Sequence, residues 1–139
     1  MRTTEPGSRA DDRGLRNDRF VLLEHTGHPD DPTGRHYDLL LEEPAACQTW
    51  RLADVPLLGG PSVRAQPLPP HRLAWLDTEA GEVSGGRGFA RRIAAGRYER
   101  CRSEHAGPET AHAAALIRLT GTPLSGILEI STSGLATLR

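Results

Sequence analysis

The sequence predicts a mainly β fold, a small closed or partly open antiparallel β-barrel with short helical segments, on three observations. Short apolar stretches recur between clusters of turn-forming residues. The 15 glycines and 11 prolines favour turns over long helices. Period-two alternation gives HYDLLLE (36–42) two distinct faces.

Residues 1–18 alternate small, polar and oppositely charged groups around a single large aliphatic, Leu15, and are expected to form a flexible arm with little to bury. One domain is expected over 19–139, a length that supports one modest core. Its apolar stretches are RFVLLEH, HYDLLLE, CQTWRLA, HRLAW, RRIAAGRYE, AALIRLT, SGILEIS and LATLR. Between them GHPDDPTG (27–34) and PLLGGPSVRAQPLPP (56–70) are predicted loops, because proline removes a ladder donor and fixes φ. EVSGGRG (82–88) reads as a third loop and GTPLSG (121–126) as a hairpin connection. ETAHAAAL (109–116) is the best helix candidate, with Thr110 as cap and alanine favouring helix.

Composition narrows the chemistry. With 37% hydrophobic and 25% charged residues the chain is ordinary for a globular protein, and it has no apolar run of the membrane-spanning or secretory kind. A cytoplasmic location is the expectation. The two cysteines, Cys47 and Cys101, form no CxxC pair and suit a reduced compartment. All 17 basic residues are arginine, which excludes Schiff-base, P-loop or covalent lysyl-nucleotide chemistry. A net charge of −1 weighs against broad electrostatic capture of nucleic acid. Residues 64–102 nevertheless hold eight arginines against four acids, so phosphate binding is expected to be local.

The chemistry centres on HYDLLLE, where a strand puts His36, Asp38 and Leu40 on one face. Imidazole and carboxylate then point together, a donor mixture that Zn²⁺ or Mn²⁺ accepts. His25 is the preferred third ligand: it ends RFVLLEH, and an antiparallel return through the proline-rich loop brings it beside His36. Two alternatives stay open at this point. His36 and Asp38 form a structural hydrogen-bonded pair, or His28 in the loop replaces His25. Arg91 and Arg92 read as a solvated strand edge with a nucleic-acid groove as the alternative, and EVSGGRG as an ordinary turn rather than a phosphate cradle, since no lysine or helix follows it.

FVLLEH followed by HYDLLLE resembles the 3′-phosphoesterase domain of bacterial DNA ligase D, in which a strand ending in histidine precedes an HYD(F/L)xLE strand. The similarity continues through Trp50, HRLAWLDTEAG (71–81) and LIRLTGTPLSGILEI (116–130), and so spans most of 19–131. It implies a freestanding single-domain member of that family. His25, His36 and Asp38 would bind a catalytic metal, usually Mn²⁺, with Zn²⁺ or another divalent transition metal as alternatives. By the same resemblance His71 contacts the scissile phosphate, Trp75 stands where the family has tyrosine, and Arg64 lies one residue out of register with a phosphate-binding arginine. Arg72 is a weaker candidate of the same kind. The implied partners are DNA or RNA-terminated primer 3′ ends and separate end-joining or ligase proteins, without a membrane. Leu40 replaces an arginine of the family, Leu23 a glutamine, and Asp54 lies where a lysine is expected, so the metal triad is kept while the phosphate-binding shell is thinned. A catalytically weak or inactive metal-stabilised module that binds nucleic-acid ends or a protein is the alternative.

Overall fold

The fold is given by a computed structural model, which describes residues 18–101 and 113–139. The strands are β1 (Arg19–Thr26), β2 (Arg35–Glu42), β3 (Cys47–Leu52), β4 (Val63–His71), β5 (Ala80–Glu82), β6 (Phe89–Arg100), β7 (Ala113–Thr122), β8 (Ser125–Ser131) and β9 (Leu135–Leu138). They form one antiparallel sheet in the order β1-β2-β3-β4-β9-β8-β7-β6-β5, and β6 also pairs with β1, which closes the sheet into a ring. Closure leaves β1 with a ladder on both sides, a way of removing exposed edges. Among the described residues no helix is long and apolar enough to cross a membrane.

Two apolar clusters explain why β1 and β2 read as nearly unbroken hydrophobic runs. Phe20 and Leu22 of β1 and Tyr37, Leu39 and Leu41 of β2 point into the ring, where they meet Trp50, Ile117, Leu128 and Ile130. Their neighbours Val21, Leu23 and Leu40 point the other way and join Cys47, Leu76 and Ala90 in a second cluster. Strands covered on both faces lose the clean polar alternation of a half-buried strand. The second cluster is roofed by the segment after β4, whose Leu73, Trp75 and Val83 pack against it. Arg19 pins that roof by an ion pair to Asp77 at 2.8 Å while also holding Glu42 at 3.1 Å.

Several expectations are corrected by this arrangement. The predicted loop 56–70 contains most of β4, Val63–His71. Prolines are tolerated there because β9 pairs only with Val63 and Arg64, leaving the rest of that edge without a ladder to interrupt. HRLAW is not a strand: β4 ends at His71, and Leu73–Leu76 form a 3-10 turn, the one helical segment among the described residues. The helix expected over ETAHAAAL is replaced, at Ala113–Leu116, by the start of β7, and its first four residues lie outside the described residues. There Ala113, Ala115 and Leu116 pair with Ser131, Ile130 and Glu129 of β8, a ladder that overrides the modest helical preference of alanine. Of the expected arm, residues 1–17 lie outside the described residues, and Asp18 is tied to β6 through Arg97 at 2.6 Å and the Tyr98 amide at 2.8 Å. The loop 27–34 and the β7–β8 hairpin stand where the sequence puts them, and so does the loop 82–88 except for Glu82, which ends β5.

Candidate metal centre

The β1–β2 ladder pairs His25 with His36 and Leu23 with Asp38. All three polar side chains lie on the face of the second cluster and are buried, at 6%, 3% and 3% exposure for His25, His36 and Asp38. Their ligand atoms lie within 4.8 Å of one another. His25 Nδ1 is 3.4 Å from Asp38 Oδ2, and His36 Nε2 is 3.5 Å from Asp38 Oδ1. Ligands about 2.1 Å from one ion in a tetrahedral site stand about 3.4 Å apart, so each of the two histidine–carboxylate spacings is that of neighbouring ligands on one ion.

Each histidine is oriented by the nitrogen that faces away from the cluster. His36 Nδ1 donates to Asp31 Oδ2 at 2.9 Å, and His25 Nε2 donates to the Arg87 carbonyl at 2.7 Å. These bonds fix the tautomers and leave His36 Nε2 and His25 Nδ1 as lone-pair donors turned towards Asp38. Hydrogen bonds from Thr33 and then His36 hold the Asp31 carboxyl at about 2, so it is a permanent anion at neutral pH. The Arg87 carbonyl reaches His25 because Gly88, at φ 97°, lets the loop backbone sit against Thr26 and Gly27, where a Cβ would collide. The glycine-rich loop 83–88 therefore supplies a carbonyl to a histidine.

Two buried atoms test the fit to a metal directly. His36 Nε2 and Asp38 Oδ1 have no hydrogen-bond partner. A buried polar atom left unpaired costs about 1–3 kcal/mol, and a shared cation satisfies both atoms at once. Burial pushes the Asp38 carboxyl up, but the imidazoles of His25, His36 and His71 around it, in their charged forms, outweigh burial and hold the group well below the usual carboxylate range. In turn Asp38 favours the protonated form of His25, in which Nδ1 also carries a proton, and so raises it.

Around this centre the other candidates take different places. His71 ends β4 with Nδ1 donating to the Pro69 carbonyl at 3.2 Å and Nε2 3.8 Å from Asp38 Oδ2. His28 stacks edge-on at 5.3 Å from the His25 ring and accepts the Asp30 amide, outside the three-residue cluster. Arg64 lines an open cleft of about 750 Å³ that begins at His36 and Asp31 and runs across β3 and β4. Trp75 packs partly buried in the roof of the second cluster, and Arg72 is exposed beside it, away from that cleft. Arg91 and Arg92 are paired with Glu24 at 2.8 Å and Glu79 at 3.5 Å.

Three contributors escaped the sequence reading: Asp31, the Arg87 carbonyl and Arg51. Arg51 was within reach, because the tight β2–β3 hairpin that pairs Glu42 with Cys47 also pairs Asp38 with Arg51. No family model and no curated protein matches the chain.

Proposed function

We propose that the protein is a metal-dependent phosphoesterase acting on nucleic-acid 3′ ends, removing a terminal phosphate or ribonucleoside in DNA repair. The observation that carries this is the pair of buried, unpartnered ligand atoms of His36 and Asp38, converging with His25 beside an arginine-lined cleft. His25, His36 and Asp38 would hold a divalent ion such as Mn²⁺ or Zn²⁺, which when bound would supply positive charge to polarise a phosphoryl oxygen and lower the pKa of a water. The protein's own residues do the rest. Asp31 and the Arg87 carbonyl keep the imidazoles aimed. His71 Nε2, with 28% of its side chain exposed, lies close enough to contact a phosphate bound at the centre, and in its imidazolium form it protonates a departing oxygen. Arg64 offers forked donors along the cleft.

The test is a 3′-phosphorylated primer-template incubated with Mn²⁺ and the pure protein, alongside His36→Ala. Loss of the 3′-phosphate with the unsubstituted protein alone supports the assignment. A second reading, a metal-stabilised module that holds a nucleic-acid end or a partner protein without turnover, is favoured by one observation: Leu40, where the related family carries a cation, is fully buried in the second cluster. Retained end binding with no turnover across several metals and 3′-end types selects it. Separate end-joining or ligase proteins are the partners either reading invites.

A further inference from the structure

Arg51 lies on β3 directly opposite Asp38, and Gln66 of β4 lies opposite Arg51 on its other side. By strand alternation Arg51, Gln66 and Arg64 share the face that carries the ligand triad. All three line the cleft that begins at His36. The neighbouring arginines are mostly neutralised: Arg35 and Arg91 share Glu24, Arg92 holds Glu79, Arg97 holds Asp18 and Arg100 holds Glu43. Arg51 pairs with no acid among the described residues, and its Nε is buried without a hydrogen-bond partner. Arg64 is likewise unpaired among them. The acid nearest in the cleft, Asp31, already accepts His36 and Thr33. An arginine with a desolvated, unsatisfied donor beside a carboxylate-bearing metal centre is organised for an anion that arrives from outside.

We propose that Arg51, with Arg64 beside it, grips the terminal phosphate of a single-stranded nucleic-acid 3′ end. The assignment rests on the phosphoesterase reading for its substrate class, but its test does not depend on turnover. The guanidinium fork suits the paired oxygens of a phosphomonoester, and an open cleft admits a flexible strand while its neighbours stay in water.

The experiment is fluorescence anisotropy of a 5′-labelled single-stranded DNA carrying either a 3′-phosphate or a 3′-hydroxyl, titrated with metal-free protein in the presence of chelator, so that nothing is cleaved. Arg51→Gln is expected to weaken binding of the 3′-phosphorylated strand about tenfold or more, with much less effect on the 3′-hydroxyl strand. It should also flatten the dependence of log affinity on log salt by about 0.7 per lost contact. Arg51→Lys should recover part of the loss, and Arg118→Ala, on β7 outside the cleft, should bind as the unsubstituted protein does. The Mn²⁺-induced rise in melting temperature, measured on Arg51→Gln, should persist and so report an intact centre. Equal affinity of Arg51→Gln and the unsubstituted protein, equal losses for both 3′ ends, or no binding by the unsubstituted protein overturns the proposal. Turnover with Mn²⁺, followed separately on the same preparations, reports on the phosphoesterase reading alone.

Discussion

His36 is gripped from behind by Asp31, and that grip is a single hydrogen bond of 2.9 Å to a side chain from a loop. A carboxylate behind a ligand imidazole raises its basicity and fixes its aim, and losing such a partner costs about 10–100-fold in metal affinity. Asp31→Ala should therefore lower affinity for Mn²⁺ or Zn²⁺ by that factor, read by calorimetric titration, while Asp31→Asn, which keeps an acceptor oxygen, should lose less. An unchanged affinity in both variants would show that the Asp31 contact does not support the centre. Cys47 offers a pH-dependent test at the same scale. Burial pushes its thiol up from 9.0 to about 11. The sign follows: the raised value favours the protonated form, so at pH 8 the native thiolate fraction is about one in a thousand, against about a tenth for an unperturbed thiol. Native protein at pH 8 should thus yield one rapidly modified cysteine, Cys101, with Cys47 reacting only on unfolding or as the pH climbs towards 11. Two rapid equivalents at pH 8 would contradict this.

The elements differ in how far the sequence discloses them, and the reasons are physical. β1 and β2 were legible because both of their faces are buried, which writes the runs FVLL and LLL into the chain, and because a proline-rich loop must turn the chain back on itself. That same return brought His25 to His36, so the triad was legible with them. β4 was hidden by its prolines, whose cost depends on whether a neighbouring strand demands their missing donors. The β7 start was hidden by alanines that favour helix when alone and accept a strand when β8 offers a ladder. Contributions that pass through the backbone leave no side-chain signal, and the Arg87 carbonyl is of this kind. The loop that delivers it depends on Gly88. Gly88→Ala forces a Cβ into the Thr26 and Gly27 backbone at a φ that L residues rarely adopt. It should cost about 1–3 kcal/mol of stability in urea unfolding and weaken metal binding together, because the retreating loop frees the His25 Nε2 that the carbonyl now holds. Loss of stability with unchanged metal affinity would sever the link between loop and centre.

At the scale of the whole molecule, closure of the ring through β1 and β6 gives β1, which carries His25, a ladder on both sides, and β2, which carries His36 and Asp38, is held between β1 and β3. Phe20 is the internal counterpart of that closure: fully buried, its ring lies against Gly121 on β7, where an added Cβ would come within 2.7 Å of it. Phe20→Ala should lower unfolding free energy by about 3–5 kcal/mol, the cost of removing a large core side chain and leaving a cavity. The effect should appear in the urea midpoint. A loss under 1 kcal/mol would mean that the interior does not support the ring as packed.

The central claim is that His25, His36 and Asp38 form a metal centre ready in the folded protein, and thermal unfolding with added ion tests it most directly. A ligand that binds only the folded state at about a hundred times its dissociation constant adds about 2.7 kcal/mol of stability. Mn²⁺ or Zn²⁺ should accordingly raise the melting temperature of the unsubstituted protein by several degrees, and His36→Ala and Asp38→Ala should lose that rise while remaining folded. A melting temperature indifferent to both ions, or an equal rise in His36→Ala, would contradict the account.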